Sequence, residues 1–223
     1  LVTPADDLET FDYQARTVLQ FLDEFDLQLA VNGDFFSPWK DYGPFNYYPH
    51  VGDGANVRGL AASQGEVVSV GTSPPDSYVT LYISRDNRIS FIAPEGEIYN
   101  AISGHTRILD NGKIVDFGDF GYPSSRHPRT AIGLSQDKNT LILVVVDGRQ
   151  PNYSEGATLY ELAELFQNLG AHEAINIDGG GSSTMVIENE GVPSLLNSPI
   201  HSRIPARERP VANHLGIYAK PLP

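Results

Sequence analysis

The stretch that most restricts how this chain can fold runs from Ala174 to Val186. A short apolar run carries one polar residue, Asn176, and ends on a carboxylate, Asp178. Three glycines follow (Gly179, Gly180 and Gly181), then Ser182, Ser183 and Thr184, and the chain returns to apolar Met185-Val186-Ile187. Consecutive glycines weaken any regular element but admit positive φ and close backbone approach, so the segment reads as strand, sharp turn, strand. The amides of such a turn, with the adjacent hydroxyls, can form an anion-binding nest. A plain glycine turn capped by Asp178 is the alternative, and the density of polar groups favours a site.

The same punctuation recurs. Leu27 to Val31 alternates toward a strand that stops at Asn32-Gly33-Asp34-Phe35-Phe36. An acid followed by two large apolar residues at a strand end suits a partly dry pocket, although Asn-Gly alone is a turn signal. The run Leu141 to Val146, apolar and rich in β-branched residues, reads as a central buried strand and ends at Asp147-Gly148-Arg149. Strands thus end in acid-and-glycine motifs at Asp34, Asp147 and Asp178. A fourth cluster, His127-Pro128-Arg129-Thr130, precedes the strand Ala131 to Leu134.

Two helices are expected. Val18, Leu19, Phe21, Leu22 and Phe25 recur at helical spacing between Arg16 and Phe25. Between residues 156 and 170, Leu159, Leu162, Ala163, Leu165, Phe166 and Leu169 make one apolar stripe, with Thr158 as cap and Gly170 as stop. Residues 59–115 read as all-β, with strands near 67–70, 78–83, 89–92, 101–103 and 107–109. Turns separate them at 73–76, 85–88, 94–96 and 110–112. His105 in this region reads as structural. Residues 37–58 hold Trp39, Tyr42, Phe45, Tyr47, Tyr48 and His50, too aromatic for a disordered linker; they read as an ordered loop that stacks on a sugar ring or lids a cleft. Residues 1–13 read as a surface arm and 191–209 as a Pro- and Ser-rich loop, and residues 214–218 close the sheet. The expected class is α+β, a single domain over 1–223 with a central, mostly antiparallel sheet flanked by a few helices and long loops.

A formal net charge of −13 argues against nucleic acid, which wants a basic face. An anionic substrate would have to meet locally concentrated cations. No run is long enough to span a membrane. The chain contains no cysteine, which excludes disulfide and thiol chemistry. It begins Leu-Val-Thr-Pro, which reads as a trimmed or mature form with any targeting peptide out of sight.

Taken in order, these clusters resemble the phosphodiester glycosidase family. The matching pieces are residues 32–36, 127–133, 147–149, the 156–170 helix, 174–184 and Arg209-Pro210-Val211-Ala212-Asn213, so the likeness spans nearly everything from about Leu29 onward. It implies an enzyme, a hydrolase that cleaves the anomeric C–O bond of a sugar-1-phosphodiester such as an α-N-acetylglucosaminyl phosphodiester. Sugar and a phosphomonoester would be released. It also implies an extracytoplasmic or secreted setting; the lack of cysteine looks like a bacterial or phage-type member acting on a wall polymer, capsule or phosphoglycan.

For that chemistry Asp178 is the expected carboxylate at the anomeric carbon or the base that activates water, with Asp34 as second carboxylate. Arg129 is the expected phosphate fork. His127, Thr130, Arg149, Arg209, Asp147, Ser182, Ser183 and the three glycines are the expected binding group. Asn32 and Asn176 would hold sugar hydroxyls or orient the acids. No cofactor or metal is expected; a divalent cation on the oxygen-rich strand ends is the alternative, without a contiguous ligand loop to support it. Two other classes fit the same residues: a non-catalytic glycan-binding module using the 37–50 aromatics, and a metal-dependent phosphodiesterase cutting P–O.

Overall fold

The computed structural model describes residues 11–72, 78–118 and 121–219. The architecture is chiefly β, with two α-helices among the described residues, α1 (Val18–Glu24) and α2 (Leu159–Asn168). The strand ladders are antiparallel. In place of one central sheet there are several, because the apolar strands sort onto different cores.

One five-stranded sheet runs in the order Lys113–Ile114, Thr106–Asp110, Ala171–Asn176, Arg129–Ser135, Leu141–Val146. Helix α2 covers one face. Leu159, Leu162, Ala163 and Phe166 pack there on Ile108, Leu109, Ala131 and Ala174, each large side chain contributing about 2 kcal/mol by burial. Thr158 caps the helix through a reciprocal capping box with Glu161, and Gly170 ends it at φ +84°. Gly133 makes the close approach possible: a Cβ there would stand 2.4 Å from the Phe166 ring.

The opposite face meets the main core, where Ile132, Leu134, Ile175 and Ile177 pack on Val31, Leu81, Ile102 and Leu215. Val31 and Leu215 come from a four-stranded sheet, ordered Val192–Leu195, Met185–Asn189, Leu29–Asn32, His214–Ile217. Helix α1 backs that sheet through Val18, Phe21 and Leu22 against Leu27, Ala30 and Val186. Leu81 and Ile102 come from a second five-stranded sheet that holds Val79–Ile83 and Asn100–Gly104 at its middle.

Several expectations change. The run Leu141–Val146 is an edge strand, not a central one. Its aliphatic content still has a cause, since Leu141, Leu143 and Val145 serve the main core while Ile142, Val144 and Val146 serve the α2 core. Residues 37–58 are not one loop: Phe36–Ser37 and Gly54–Val57 join Tyr13–Gln14 in a small sheet, and Lys40–Asp41 pairs with Tyr47–Tyr48 in a hairpin. Tyr13, expected on a surface arm, is fully buried in that small sheet. The expected loop after Gly191 contains the strand Val192–Leu195. The rest of the arm through residue 10, and the 73–76 turn, lie outside the described residues.

Candidate active site

A cavity of about 660 Å³ opens where the glycine triplet, the Asn32 strand end and the His127 cluster converge. Asp178 and Gly179–Gly181 form one wall, and His127, Arg149 and Arg209 stand around them. Phe35, Phe36, Trp39, Tyr78, His105 and Tyr122 supply aromatic surface, with Arg58 beside them.

Buried amides splice these strand ends together. Asn32 donates from Nδ2 to the Asp178 carbonyl at 2.7 Å, while its Oδ1 accepts from Thr130 Oγ1 at 2.8 Å and from Thr184 N at 3.2 Å. Asp178 N donates to the Gly33 carbonyl, and Ile177 N to that of Thr130. Asn32, Thr130 and Asn176 are all buried, and Asn176 Nδ2 donates to the Ile177 carbonyl at 2.9 Å. Asn32 and Thr130 therefore act as struts that fix Asp178, not as groups presented to a sugar.

The glycine loop also differs from a nest of free amides. Gly179 N donates to Asp178 Oδ1 at 2.9 Å, and the amides of Gly180, Ser182 and Ser183 go to carbonyls of Pro128, Gly179 and Gly180. What the glycines provide is room for two guanidinium groups. A Cβ at 180 would stand 3.0 Å from Arg149 Nη1, and one at 181 would stand 2.5 Å from Arg209 Nη2. Ser182 and Ser183 lie beneath the surface, with Ser182 Oγ accepting from Arg209 Nη1 at 3.4 Å.

The two acids have separate environments. Burial lifts the Asp178 carboxyl to about 6, against the opposing pull of Ser182, Arg209, the Gly179 amide and Arg149. Asp34 is 1% exposed and accepts from Gly59 N at 2.6 Å. Burial holds it well above the usual carboxylate range; backbone N–H groups led by Gly59 oppose this and the neighbouring Asp178 charge adds to it. Asp34 thus holds its proton more firmly than an ordinary carboxyl and does not line the cavity, whereas Asp178 stands in its wall.

Arg149 sits at φ +57° on an exposed turn, with Nη2 3.3 Å from His127 Nδ1. Burial, then Arg149 and Arg129, lower the His127 pKa, so the imidazole is neutral and can accept at Nδ1. Arg129, the expected phosphate fork, commits two of its three guanidinium nitrogens to main-chain carbonyls, and its Nη1 has no hydrogen-bond partner among the described residues. It is fully buried, with Nε donating to the Ala157 carbonyl at 2.9 Å and Nη2 to those of Tyr122 and Ser125 at 3.1 and 2.9 Å. Its guanidinium lies 4.3 Å from the centre of the Tyr122 ring. Asp147 accepts from Asn197 Nδ2, Ser198 N and the Tyr153 hydroxyl and so tethers the 197–198 segment.

Sequence reading missed Arg58, Tyr122 and the hairpin residue Asp41, which meets Arg209. Arg58 and Tyr122 belong to no strand-end acid motif and Asp41 ends a strand of only two residues, so it is convergence in space that marks them. His105, read as structural, lines the cavity. Among the described residues no cluster of three or more acids and histidines is placed to hold a metal ion, and no helix is long and apolar enough to cross a membrane.

Residues 25–218 match the family model described as phosphodiester glycosidase. The chain is 28% identical over 174 residues to the N-acetylglucosamine-1-phosphodiester alpha-N-acetylglucosaminidase of Mus musculus, covering 72% of this chain and 32% of that protein. A 70-residue stretch is 40% identical to the SPbeta prophage-derived uncharacterized protein YomE of Bacillus subtilis (strain 168), covering 31% of this chain and 11% of that one. Among solved structures, the zebrafish N-acetylglucosamine-1-phosphodiester alpha-N-acetylglucosaminidase catalytic domain, auto-inhibited by its pro-peptide, aligns with a TM-score of 0.71 at 22% identity, over 98% of this chain and 72% of that one. A hypothetical protein from Synechocystis aligns at 0.57 and 16% identity, over 93% and 54% of the two chains. The chain spans 32% of the mouse relative's length, and the structural likenesses speak for the fold alone.

Proposed function

The chain belongs to the phosphodiester glycosidase family, and from that premise we propose that its cavity hydrolyses a sugar-1-phosphodiester at the anomeric C–O bond. The observation that carries this reading is Asp178. It is a carboxylate poised near pH 6, set on a glycine loop between two guanidinium groups in a chain of net charge −13. A strongly acidic protein that gathers Arg58, Arg149 and Arg209 around one cavity is arranged for an anionic ligand.

In the proposed step Asp178 accepts a proton from water as the water oxygen bonds to the anomeric carbon. The bond from that carbon to the bridging phosphate oxygen breaks, and its electron pair stays on the departing phosphomonoester. The phosphate gains one negative charge in the process, and Arg149 and Arg209 are placed to stabilise it. A phosphomonoester leaves far more readily than a sugar alkoxide, so strong general-acid help is not required. The raised pKa of Asp34 opposes a second negative charge beside Asp178. His127 lines the phosphate side, while Trp39, Tyr78 and His105 offer faces for the sugar or its aglycone.

The natural substrate in this reading is an α-N-acetylglucosaminyl or related diester in a wall polymer, capsule or phosphoglycan. The enzyme would work as one catalytic domain, outside the cytoplasm, without a cofactor. The test is hydrolysis of UDP-N-acetylglucosamine in oxygen-18 water, with and without chelator. Label on the sugar's anomeric carbon, lost in Asp178→Asn and indifferent to chelator, supports the reading. Label on phosphate would assign the enzyme to P–O cleavage, and binding without turnover would leave a glycan-binding module.

A further inference from the structure

Arg209 is the cation of this cavity most tightly held by protein. Its Nη2 meets Asp41 Oδ2 at 3.2 Å, its Nε donates to His201 Nδ1 at 3.3 Å, and its Nη1 donates to Ser182 Oγ at 3.4 Å. The Trp39 ring lies against the guanidinium, 5.0 Å from the ring centre. Two of these partners, Trp39 and Asp41, belong to the aromatic hairpin, and the hairpin is itself bracketed. Ser202 Oγ donates to Asp41 Oδ1 at 2.8 Å, the Tyr47 ring packs edge-on against His201 at 4.5 Å, and Arg207 lies 5.0 Å from the Tyr47 centre.

Accepting from Nε requires a neutral imidazole at Nδ1. Burial, then the Arg209 charge, bring the His201 pKa down to about 4, so the imidazole keeps that role at neutral pH. Asp41, in contrast, stays ionised: burial alone would raise it, but Ser202 and Arg209 hold it below the usual carboxylate range. The hairpin therefore supplies the counter-charge, the loop at 201–202 supplies the aim, and Arg209 keeps N–H groups for the cavity.

We propose that Asp41 is a positioning residue that fixes the Arg209 fork toward the departing phosphate, making the aromatic hairpin part of the reaction machinery and not only a rim. The proposal rests on the phosphodiester reading for the identity of that phosphate. A guanidinium fixed before reaction loses no freedom as the charge develops. Because the phosphate charge grows from substrate to transition state, the benefit falls on kcat more than on KM.

The experiment is a double-mutant cycle of Asp41→Asn and Arg209→Lys. It is read as kcat and KM on UDP-N-acetylglucosamine, as affinity for α-N-acetylglucosamine-1-phosphate, and as the Nε–H proton signal of Arg209 in the ligand-free protein. Asp41→Asn alone is expected to lower kcat about 10- to 100-fold while KM moves less than about threefold. It should broaden the Arg209 Nε–H signal, and Asp41→Glu should restore part of both. In the Arg209→Lys background the same substitution should do little further. An equal loss in that background, or an unchanged Nε–H signal, overturns the positioning role. If the wild-type protein does not turn over the diester, the reaction assignment fails; the Nε–H signal and the phosphate-sugar affinities still decide Asp41.

Discussion

Gly181 and Arg209 compete for one volume: a Cβ at 181 would stand 2.5 Å from Nη2 of an arginine that is only 6% exposed. The glycine is needed for its missing side chain, not for its backbone, because its φ is not in the left-handed region. Gly181→Ala should therefore push the guanidinium out of register and lower kcat/KM about 10- to 100-fold with the fold intact. Gly170→Ala is the contrast, since φ there is +84° with nothing within 4 Å of a Cβ. It should cost about 1 kcal/mol of stability and no activity. Steady-state kinetics and thermal melts on the two variants check this; equal activity losses would remove the steric argument.

Arg129 and Arg149 separate stability from activity. Arg129 is fully buried and donates to three carbonyls, so Arg129→Met leaves buried acceptors unpaired. The expected loss is about 2–5 kcal/mol in urea unfolding. Arg149 is exposed and close to His127, so Arg149→Ala should cost less than about 0.5 kcal/mol but lower kcat/KM at least about 10-fold. The reverse pattern would return Arg129 to the phosphate.

These two arginines also mark how far the sequence could be read. Asp178 and the glycine triplet, legible as one cluster, do line the cavity wall, because a turn that lets backbone and guanidinium approach must lack side chains. The other strand-end acids, Asp34 and Asp147, are engaged elsewhere. Which arginine faces the cavity was not legible, since it depends on Ala157, Tyr122 and Ser125 capturing Arg129 from behind. The α2 stripe and the Thr158 cap were legible as local patterns. The Leu141–Val146 run was legible as covered on both faces but not as an edge, because a pattern of burial carries no information about hydrogen-bonded neighbours. The hairpin at Lys40–Tyr48 was hidden by two-residue strands, too short to show any period.

Asp178 should make the site a liability above pH 6. Its pKa is about 6 in the folded chain against 3.8 as the ordinary value. Between those values the folded state holds a proton that the unfolded state has released, so stability falls as pH rises through the window and then levels off. The loss is on the order of 3 kcal/mol. Asp178→Asn can still accept from the Gly179 amide, so it should unfold at higher urea than wild type at pH 7.5 and at nearly the same urea at pH 4. Its activity should be lost at both. Wild-type kcat/KM should rise with pH through about 6 as the base ionises. A stability difference independent of pH would contradict the buried charge.

His214 should set the acid limit with the opposite sign. Its ring is 5% exposed and stacks on Phe21 at 4.5 Å, and Nε2 lies 3.2 Å from the Arg16 carbonyl, to which it donates as the neutral tautomer. Burial, then partly opposed by that carbonyl, takes its pKa from 6.5 to about 3. Between those values the unfolded chain binds a proton that the folded chain refuses, so stability is lost as pH falls through the window, up to about 5 kcal/mol at its lower end. His214→Phe keeps the stack and removes the proton site, but leaves the Arg16 carbonyl without its donor, a cost of about 1–2 kcal/mol at pH 7. The two urea-midpoint curves should therefore cross, with wild type more stable at pH 7 and His214→Phe more stable at pH 4. Curves that stay parallel from pH 7 to pH 4 would show that His214 takes up its proton in the folded state after all.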